Sequence, residues 1–588
     1  MIEKIKENNI FNKNEFKESD LPNIFGSTGQ SFLRYGNYEK AKEFFLKSIN
    51  VAQNLNDDRK IGMAFLDMGN LYFKKGKLEQ AHQYYSKAQS KFEKIRDKQG
   101  LSYVLNSIGN IFSSNGNFSQ ALKYHYKSLS IKEELNDNFG IANSLKNIAD
   151  IQKILGDYDT SMKYYQKALS LYEKLNNKNS IAILLNDLAE LYSYNKQYGE
   201  SLKLYNKSLN ILEEVGDRPS ISEVYNNIGS LYKEMSEYEK AILFYKRSIE
   251  FKELIGDKET IWKVMNNLGN AYAEAGKSAD KKTAEKYFNE SFQLYKFALK
   301  IKPEDSDTYL NWGFALSEFA KKKDGKEAEI YFSEALDKYK KSIDIQPKYY
   351  KALYNWGSVL SQIAQKKEDK EKKDLLTEAL RKFELIPETK QKDPKILNNY
   401  TLILLGLARL KDGEEKERLL KQAIKKSEAL HLIKNGKSDK ALLTWGTGLL
   451  ELSKKSGIIE KEKLIKQAID KIKNSLNINN NNPDAINNLG LAMLELAKMK
   501  KGKKKESLLR QAIDKFILVE EDKHPEKAYN IACAYSLLGE KENAITWLDK
   551  SLRINKKISK KNILSDEDFD NIKNYNAFIN ILNKYYPS

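Results

Sequence analysis

Residues 226–245 read NNIGSLYKEMSEYEKAILFY, and the spacing within them decides the fold. Gly229 is followed three positions on by Tyr232, twelve on by Ala241, and then by the aromatic pair Phe244 and Tyr245. The pattern returns every 40 residues. Small residues stand at Gly29, Gly69, Gly109, Ala149, Ala189, Gly229 and Gly269, and all but the fourth have an aromatic three positions later, where Gln152 is the exception. Twelve positions on come Ala41, Ala81, Ala121, Ser161, Ser201 and Ala241, with aromatic pairs such as Phe44 and Phe45, or Tyr164 and Tyr165, after them. Seven positions after the small residue come Gly36, Gly76, Gly116, Gly156 and Gly276, placed to end a helix in the left-handed conformation, with Lys196 and Ser236 departing. This is a pair of helices of roughly 12–18 residues joined by a tight turn. The small residue lets two backbones approach, and the aromatics fill the space beside it. One hairpin cannot cover its own apolar face, so the hairpins must stack.

GNYEKAKEFFLKSI (36–49), GNFSQALKYHYKSLSI (116–131) and SEYEKAILFYKRSIEF (236–251) resemble the second helix of the tetratricopeptide repeat. NNIGSLYKE (226–234) and NNLGNAYAE (266–274) resemble its first helix. The 40-residue spacing is similar to the long-helix repeats of kinesin light chains and spindle-orientation scaffolds. The resemblance implies an all-α, right-handed solenoid of about 13 helical hairpins.

After residue 277 the small position falls at Gly313, Gly357, Thr401, Gly446, Gly490 and Ala532, about 44 residues apart. Trp312, Trp356 and Trp445 precede three of these and read as core. The added length is visible as charged inserts at 321–328, 366–374, 411–418, 454–463 and 500–507, expected to extend both helices or their turn and to align as a ridge. The expected organisation is a polar N-terminal segment (1–21), a 40-residue array (22–277), a 44-residue array (278–556) and a C-terminal capping helix (557–588). Phe569, Ile572, Phe578, Ile581 and Leu582 would share one face of that helix.

The chain has 588 residues, a formal charge of +19 and one cysteine, which excludes an internal disulfide framework. The charge excess is +6 for residues 1–300 and +13 for 301–588. No run of about 18 apolar residues suggests a membrane span, and no signal peptide is visible, so a cytoplasmic, reducing setting is expected. Gly276–Ser278 and Gly436–Ser438 read Gly-Lys-Ser, but neither has the upstream glycine or strand of a phosphate-binding loop. His82, His125, His431 and His524 are scattered without metal-ligand spacing and read as solvated or groove-edge; Cys533 reads as a small packed hydrophobe. No catalytic residue, cofactor or metal site is expected, and the chain does not read as an enzyme.

The resemblance places the first helix of each hairpin along a concave groove, with exposed positions three before and one after the small residue. Here these are Asn106, Asn110, Lys146, Asp150, Asn186, Glu190, Asn226, Ser230, Asn266 and Asn270, with Asn70 in the same row. An amide carries both donor and acceptor, so such a row could bracket the backbone of an extended ligand. Lys146, Lys153, Asp150 and Glu190 would select its charges. Because these side chains face water, their replacement should hardly affect stability. The function expected is a scaffold binding a protein or peptide segment. The alternatives are a nucleic-acid-associated factor using the basic C-terminal array, and a sensor subunit controlling a separate enzyme. The sequence does not define an oligomeric state.

Overall fold

The computed structural model describes residues 17–520, 524–555 and 558–586. Most of the expected N-terminal segment lies outside the described residues; its described end is a 3-10 turn, Glu18–Asp20. Among the described residues all regular structure is helical, with 29 α-helices. Twenty-six of them form 13 successive hairpins, from Leu21–Arg34 with Tyr38–Asn54 to Lys527–Leu538 with Lys541–Ile554; a single turn, Glu388–Gln391, and two C-terminal helices make up the rest. The chain divides into two compact units at Tyr331 and Phe332, within the second helix of hairpin 8.

In the first unit, hairpin 2 is representative: Asp58–Lys74 and Leu78–Lys94, 17 residues each. Asp57, Asp97, Asp137 and Asn177 open first helices by accepting the backbone N–H three residues on, at 2.9–3.0 Å. Each such cap contributes about 1 kcal/mol. The turn inside the hairpin is left-handed at Gly36, Gly76, Gly116 and Gly156, and equally at Lys196 (φ 59°) and Ser236 (φ 62°). The two departures from glycine therefore take the same turn.

Gly276 does not. The helix Ile261–Ser278 runs through it, and Asp280 caps the following helix. The missing side chain at Gly276 makes room for the Phe288 ring, 3.0 Å from where a Cβ would stand. The second helix of hairpin 7, Lys281–Ile301, already has 21 residues, so the longer repeat begins here.

The small positions do the work their spacing implies. A Cβ at Gly69 would lie 2.4 Å from the Tyr85 ring, and one at Gly229 2.7 Å from Tyr245. Both rings are fully buried. Each removes roughly 150–250 Å² from water, about 4–6 kcal/mol by area.

Hairpin 1 also meets the links that precede hairpins 6 and 7. The Arg34 guanidinium donates to Asp217, 183 residues away. Asn179 donates to the same carboxylate (2.8 Å) and accepts from Arg34 (3.0 Å). Asp217 does not cap its own helix with its side chain, unlike its counterparts at 57, 97 and 137. The Gly36 backbone passes close to Asp257, and residues of hairpin 1 share a cleft of about 770 Å³ with Ile255, Gly256, Lys258 and Glu259.

In the second unit a hairpin is built differently. Hairpin 11 has a first helix of 15 residues (Asp439–Ser453) and a second of 21 (Ile458–Ile478). In hairpins 8, 10 and 11 the insert thus lengthens the second helix while the first shortens, whereas in hairpins 9 and 12 the second helix keeps 16 residues. The tryptophans are half-buried rather than core, with Lys382 over Trp356 at 3.6 Å and Lys471 over Trp445 at 4.6 Å. The C-terminal cap is not one helix. It comprises Lys560–Ser565, a 3-10 turn at Glu567–Phe569, and Asn576–Tyr585. Asp566 causes the break by capping Asp568 N (3.0 Å) and accepting Tyr529 OH (2.7 Å). Phe569, Ile572, Phe578 and Leu582 are buried all the same, with Ile581 packed beside them.

Candidate functional site

First-helix positions −3 and +1 around the small residue are four apart, so they share one helix face. In the first unit this face carries a hydrogen-bonded ladder. Each −3 carbonyl accepts from position −2 of the next hairpin: Asn147 to Asn106, Asn227 to Asn186 and Asn267 to Asn226 at 3.0 Å, and Asn311 to Asn266 at 3.2 Å. Lys146 and Asp187 form the same rung as an ion pair at 2.8 Å. Position +1 is held from the second helix, where Tyr85 donates to Asn70 (2.8 Å), Tyr295 to Asn270 (2.7 Å) and Tyr165 to Asp150. Ser230 bonds Tyr245 at 3.0 Å, and Asn110 makes no side-chain hydrogen bond to a described residue.

This alters the expected chemistry. Most of the amide oxygens are already occupied inside the protein, so the row presents mainly N–H donors. It also joins hairpin to hairpin, so replacing these residues wholesale should cost stability after all. Asn266 is itself buried.

The middle of the row is charged. Lys146 contacts Asp150 (3.1 Å) as well as Asp187, and Lys153 pairs with Glu190 at 2.6 Å. Burial pulls both lysines down, but the carboxylates outweigh it and hold each ammonium above the usual lysine range.

The remaining sequence candidates resolve individually. His125 is neither solvated nor at the groove edge: it occupies the aromatic slot over Gly109, bonded to Asn106 at 3.0 Å. Burial, then the Lys132 charge, lowers it to about 4. His82 is exposed. Cys533 is buried, and burial and the carboxylates of Asp566 and Asp568 raise its thiol. That is the opposite of an activated thiolate. Gly436 lies in a left-handed turn and Ser438 caps the next helix. In the inserts, Lys323–Glu327, Lys367–Glu371 and Lys411–Glu415 pair at 2.8–3.0 Å and recur every 44 residues. Lys500 reaches Glu462 of the neighbouring insert at 2.6 Å. Much of the insert charge is therefore balanced locally.

The sequence reading stopped short of a second cleft. Carried into the second unit, the same face lines a cavity of about 660 Å³ between the first helices of hairpins 9–12 and the link before hairpin 13. Leu402, Leu405, Leu443 and Leu491 form an apolar floor, with Lys372 and Arg409 among its lining residues as well as Asp484, Asn487, His524 and Glu526. Counting −3 and +1 from Thr401, Gly446 and Gly490 would have found Leu402, Leu443, Asn487 and Leu491. One ladder rung is open here: the buried Asn487 Oδ1 and Asn530 Nδ2, which correspond to bonded partners in the first unit, each lack one.

No helix among the described residues is long and apolar enough to cross a membrane. The tetratricopeptide repeat family matches residues 24–94, 101–174 and 180–254, and again 528–558. Residues 299–396 and 414–536 match the plant-specific mitochondrial import receptor subunit TOM20. Among solved structures, BtubC (BKLC) from P. vanneervenii is 17% identical over 41% of this chain and 93% of its own, with a TM-score of 0.30. The apo form of RapI is 16% identical over 47% of this chain and 99% of its own, with a TM-score of 0.36. None of the curated proteins matches in sequence. The repeats are of the kind that builds protein-interaction scaffolds, and by its hairpins and its family matches the chain is a tetratricopeptide-repeat solenoid.

Proposed function

We propose that the chain is a non-catalytic scaffold whose first unit holds an extended segment of a protein partner along its inner face. The observation that carries this reading is the row of amide N–H groups on Asn70, Asn106, Asn186, Asn226, Asn266 and Asn270 once their oxygens are engaged, with one N–H of Asn186 and one of Asn226 turned to the adjacent side chain (3.5 and 3.3 Å) and the second left over. Asn110 adds an amide with both functions free. Donors at regular intervals suit the carbonyl oxygens of an extended backbone. The Lys146–Asp187 and Lys153–Glu190 pairs at the centre then discriminate among its side chains. The match to TOM20, a receptor subunit by name, supports recognition of a protein segment by the later repeats as well.

The test is a displayed library of random unstructured peptides selected on the full chain, with affinities measured by calorimetry. Asn106→Asp, Asn226→Asp and Asn270→Asp together keep the accepting oxygens and remove the N–H donors. Each lost pairing weakens binding by about 0.5–1.5 kcal/mol, so the triple variant should bind selected peptides at least about tenfold less tightly at a temperature where its circular dichroism matches the folded parent. Selected peptides that bind it at full strength would move the site off this face.

A further inference from the structure

We infer that the cleft of the second unit is a separate receptor site for a basic side chain, lysine or arginine, presented by an apolar protein segment. Three acceptors converge at one end of it. Asp484 opens the first helix of hairpin 12, where Pro483 and the cap Asn482 fix it at the helix start. Glu526 stands just before the first helix of hairpin 13. Between them Asn487, one helical turn beyond Asp484, is 3% exposed, and its Oδ1 has no hydrogen-bond partner among the described residues. Its amide nitrogen donates weakly to Glu526 at 3.4 Å. A buried carbonyl without a donor costs about 1–3 kcal/mol, which a ligand N–H would recover.

His524 is the protein's own cation candidate at this end. Its Nε2 lies 3.3 Å from Asp484 and its Nδ1 3.2 Å from Glu526. The ring serves both carboxylates at their edges, while the side chains of Asp484 and Glu526 stay 68% and 48% exposed. Among the described residues, Asp484 and Glu526 still carry one negative charge in excess of a fully charged imidazole. Arginine and lysine fit better than a small cation because the floor beside the acceptors is leucine. An aliphatic stem can lie on Leu491 and Leu443 while its head reaches the carboxylates. Leu402, 48% exposed, offers a contact for a neighbouring apolar residue of the same segment. Lys372 and Arg409 lie elsewhere on the lining and would disfavour a second basic residue there. The whole chain carries +19, so it repels basic peptides in general. A preference for one must come from a local site.

The probe is a fluorescein-labelled octapeptide of leucine and alanine with one central arginine, against the same peptide with citrulline, its uncharged isostere. Anisotropy on the full chain should show the arginine peptide binding at least about tenfold tighter, as charge-assisted hydrogen bonds imply. Asp484→Asn with Glu526→Gln should reduce that ratio to about one, with the thermal melt unchanged because both side chains are exposed. Leu402→Ser should weaken both peptides alike. Equal binding of the two peptides to the parent would overturn the site, as would a preference that survives the double variant. The donor-row variants of the first unit should leave the ratio untouched, so failure of one site is distinguishable from failure of the other.

Discussion

Six 40-residue hairpins and the longer hairpins that follow solve one packing problem in two ways. The first kind uses two helices of 14–18 residues, a ring on a glycine or alanine, and polar rungs between neighbours. The second, in hairpins 8, 10 and 11, shortens the inner helix to 15 residues and stretches the outer to 21. Its tryptophans are roofed by lysines and its added length carries charge pairs. The inner face changes with the frame: amide-rich in the first unit, leucine-floored with charged residues in the second. A repeat can therefore change length on its outer helix and still keep a groove, while the groove's chemistry is rewritten residue by residue.

The largest effects should come from the close approaches that both kinds share. Gly229→Leu drives a side chain into the buried Tyr245 ring. Gly446→Leu meets Ile472 and also the Ala468 carbonyl, 3.0 Å from the Cβ position, which cannot swing aside. Over-packing of this kind costs about 1–3 kcal/mol, with the second variant at or above the top of that range. Hydrogen exchange should localise each loss to its own unit; if both variants melt like the parent, the shared frame is wrong.

Acid should act on the first unit through His125. Folded, it stays neutral down to about pH 4. Unfolded, it takes a proton near 6.5, so stability falls as pH drops through that window, by up to about 3 kcal/mol. His125→Tyr restores the ring found over Gly69 and Gly229 and should remove this acid sensitivity, read as urea midpoints at pH 4.5 and 7. An unchanged pH dependence would count against the buried slot.

Asp67 has the opposite sign. It occupies position −2, where hairpins 4, 6, 7 and 8 have Asn147, Asn227, Asn267 and Asn311; burial raises it to about 6, opposed by the Gln30 hydrogen bond. The native state thus resists ionisation, and stability is lost as pH rises from about 4 to 6. Asp67→Asn should stabilise at pH 7 by about 2–3 kcal/mol and much less at pH 4. Equal effects at both pH values would show that the carboxylate is not the cause.

The smallest effect should come from the inserts. Glu371→Ala removes a solvent-facing pair to the lysine four residues before it. The expected change is about 0.3–0.5 kcal/mol or less, shrinking further in salt. A loss above 1 kcal/mol would mean that the ridge carries the second unit.

The fold was legible because its cause is local. Gly229 with Tyr232 and Tyr245 states a close crossing and its filler within 17 residues, and repetition makes the statement unambiguous. Gly276 misled because a glycine that ends a helix and one that admits a ring look alike in sequence. The groove rows share one helix face, but the use of their oxygens was hidden. That depends on the offset between neighbouring hairpins, which brings Asn147 to Asn106 rather than to its own repeat. His125 was legible in hindsight: it stands 16 positions after Gly109, where Tyr85 follows Gly69.

The contact of Arg34 with Asp217 gives the first unit a history as well as a structure. Tandem arrays gain and lose copies readily when each copy meets only its neighbours in the chain. Here hairpin 1 also meets the links before hairpins 6 and 7, so the number of copies between them is set by closure. Deleting or duplicating any 40-residue block from hairpins 2 to 5 would carry Asp217 and Asp257 past their partners. During synthesis the same contact forms only after more than 180 further residues have emerged, so the first hairpin made is among the last in this unit to find all its neighbours.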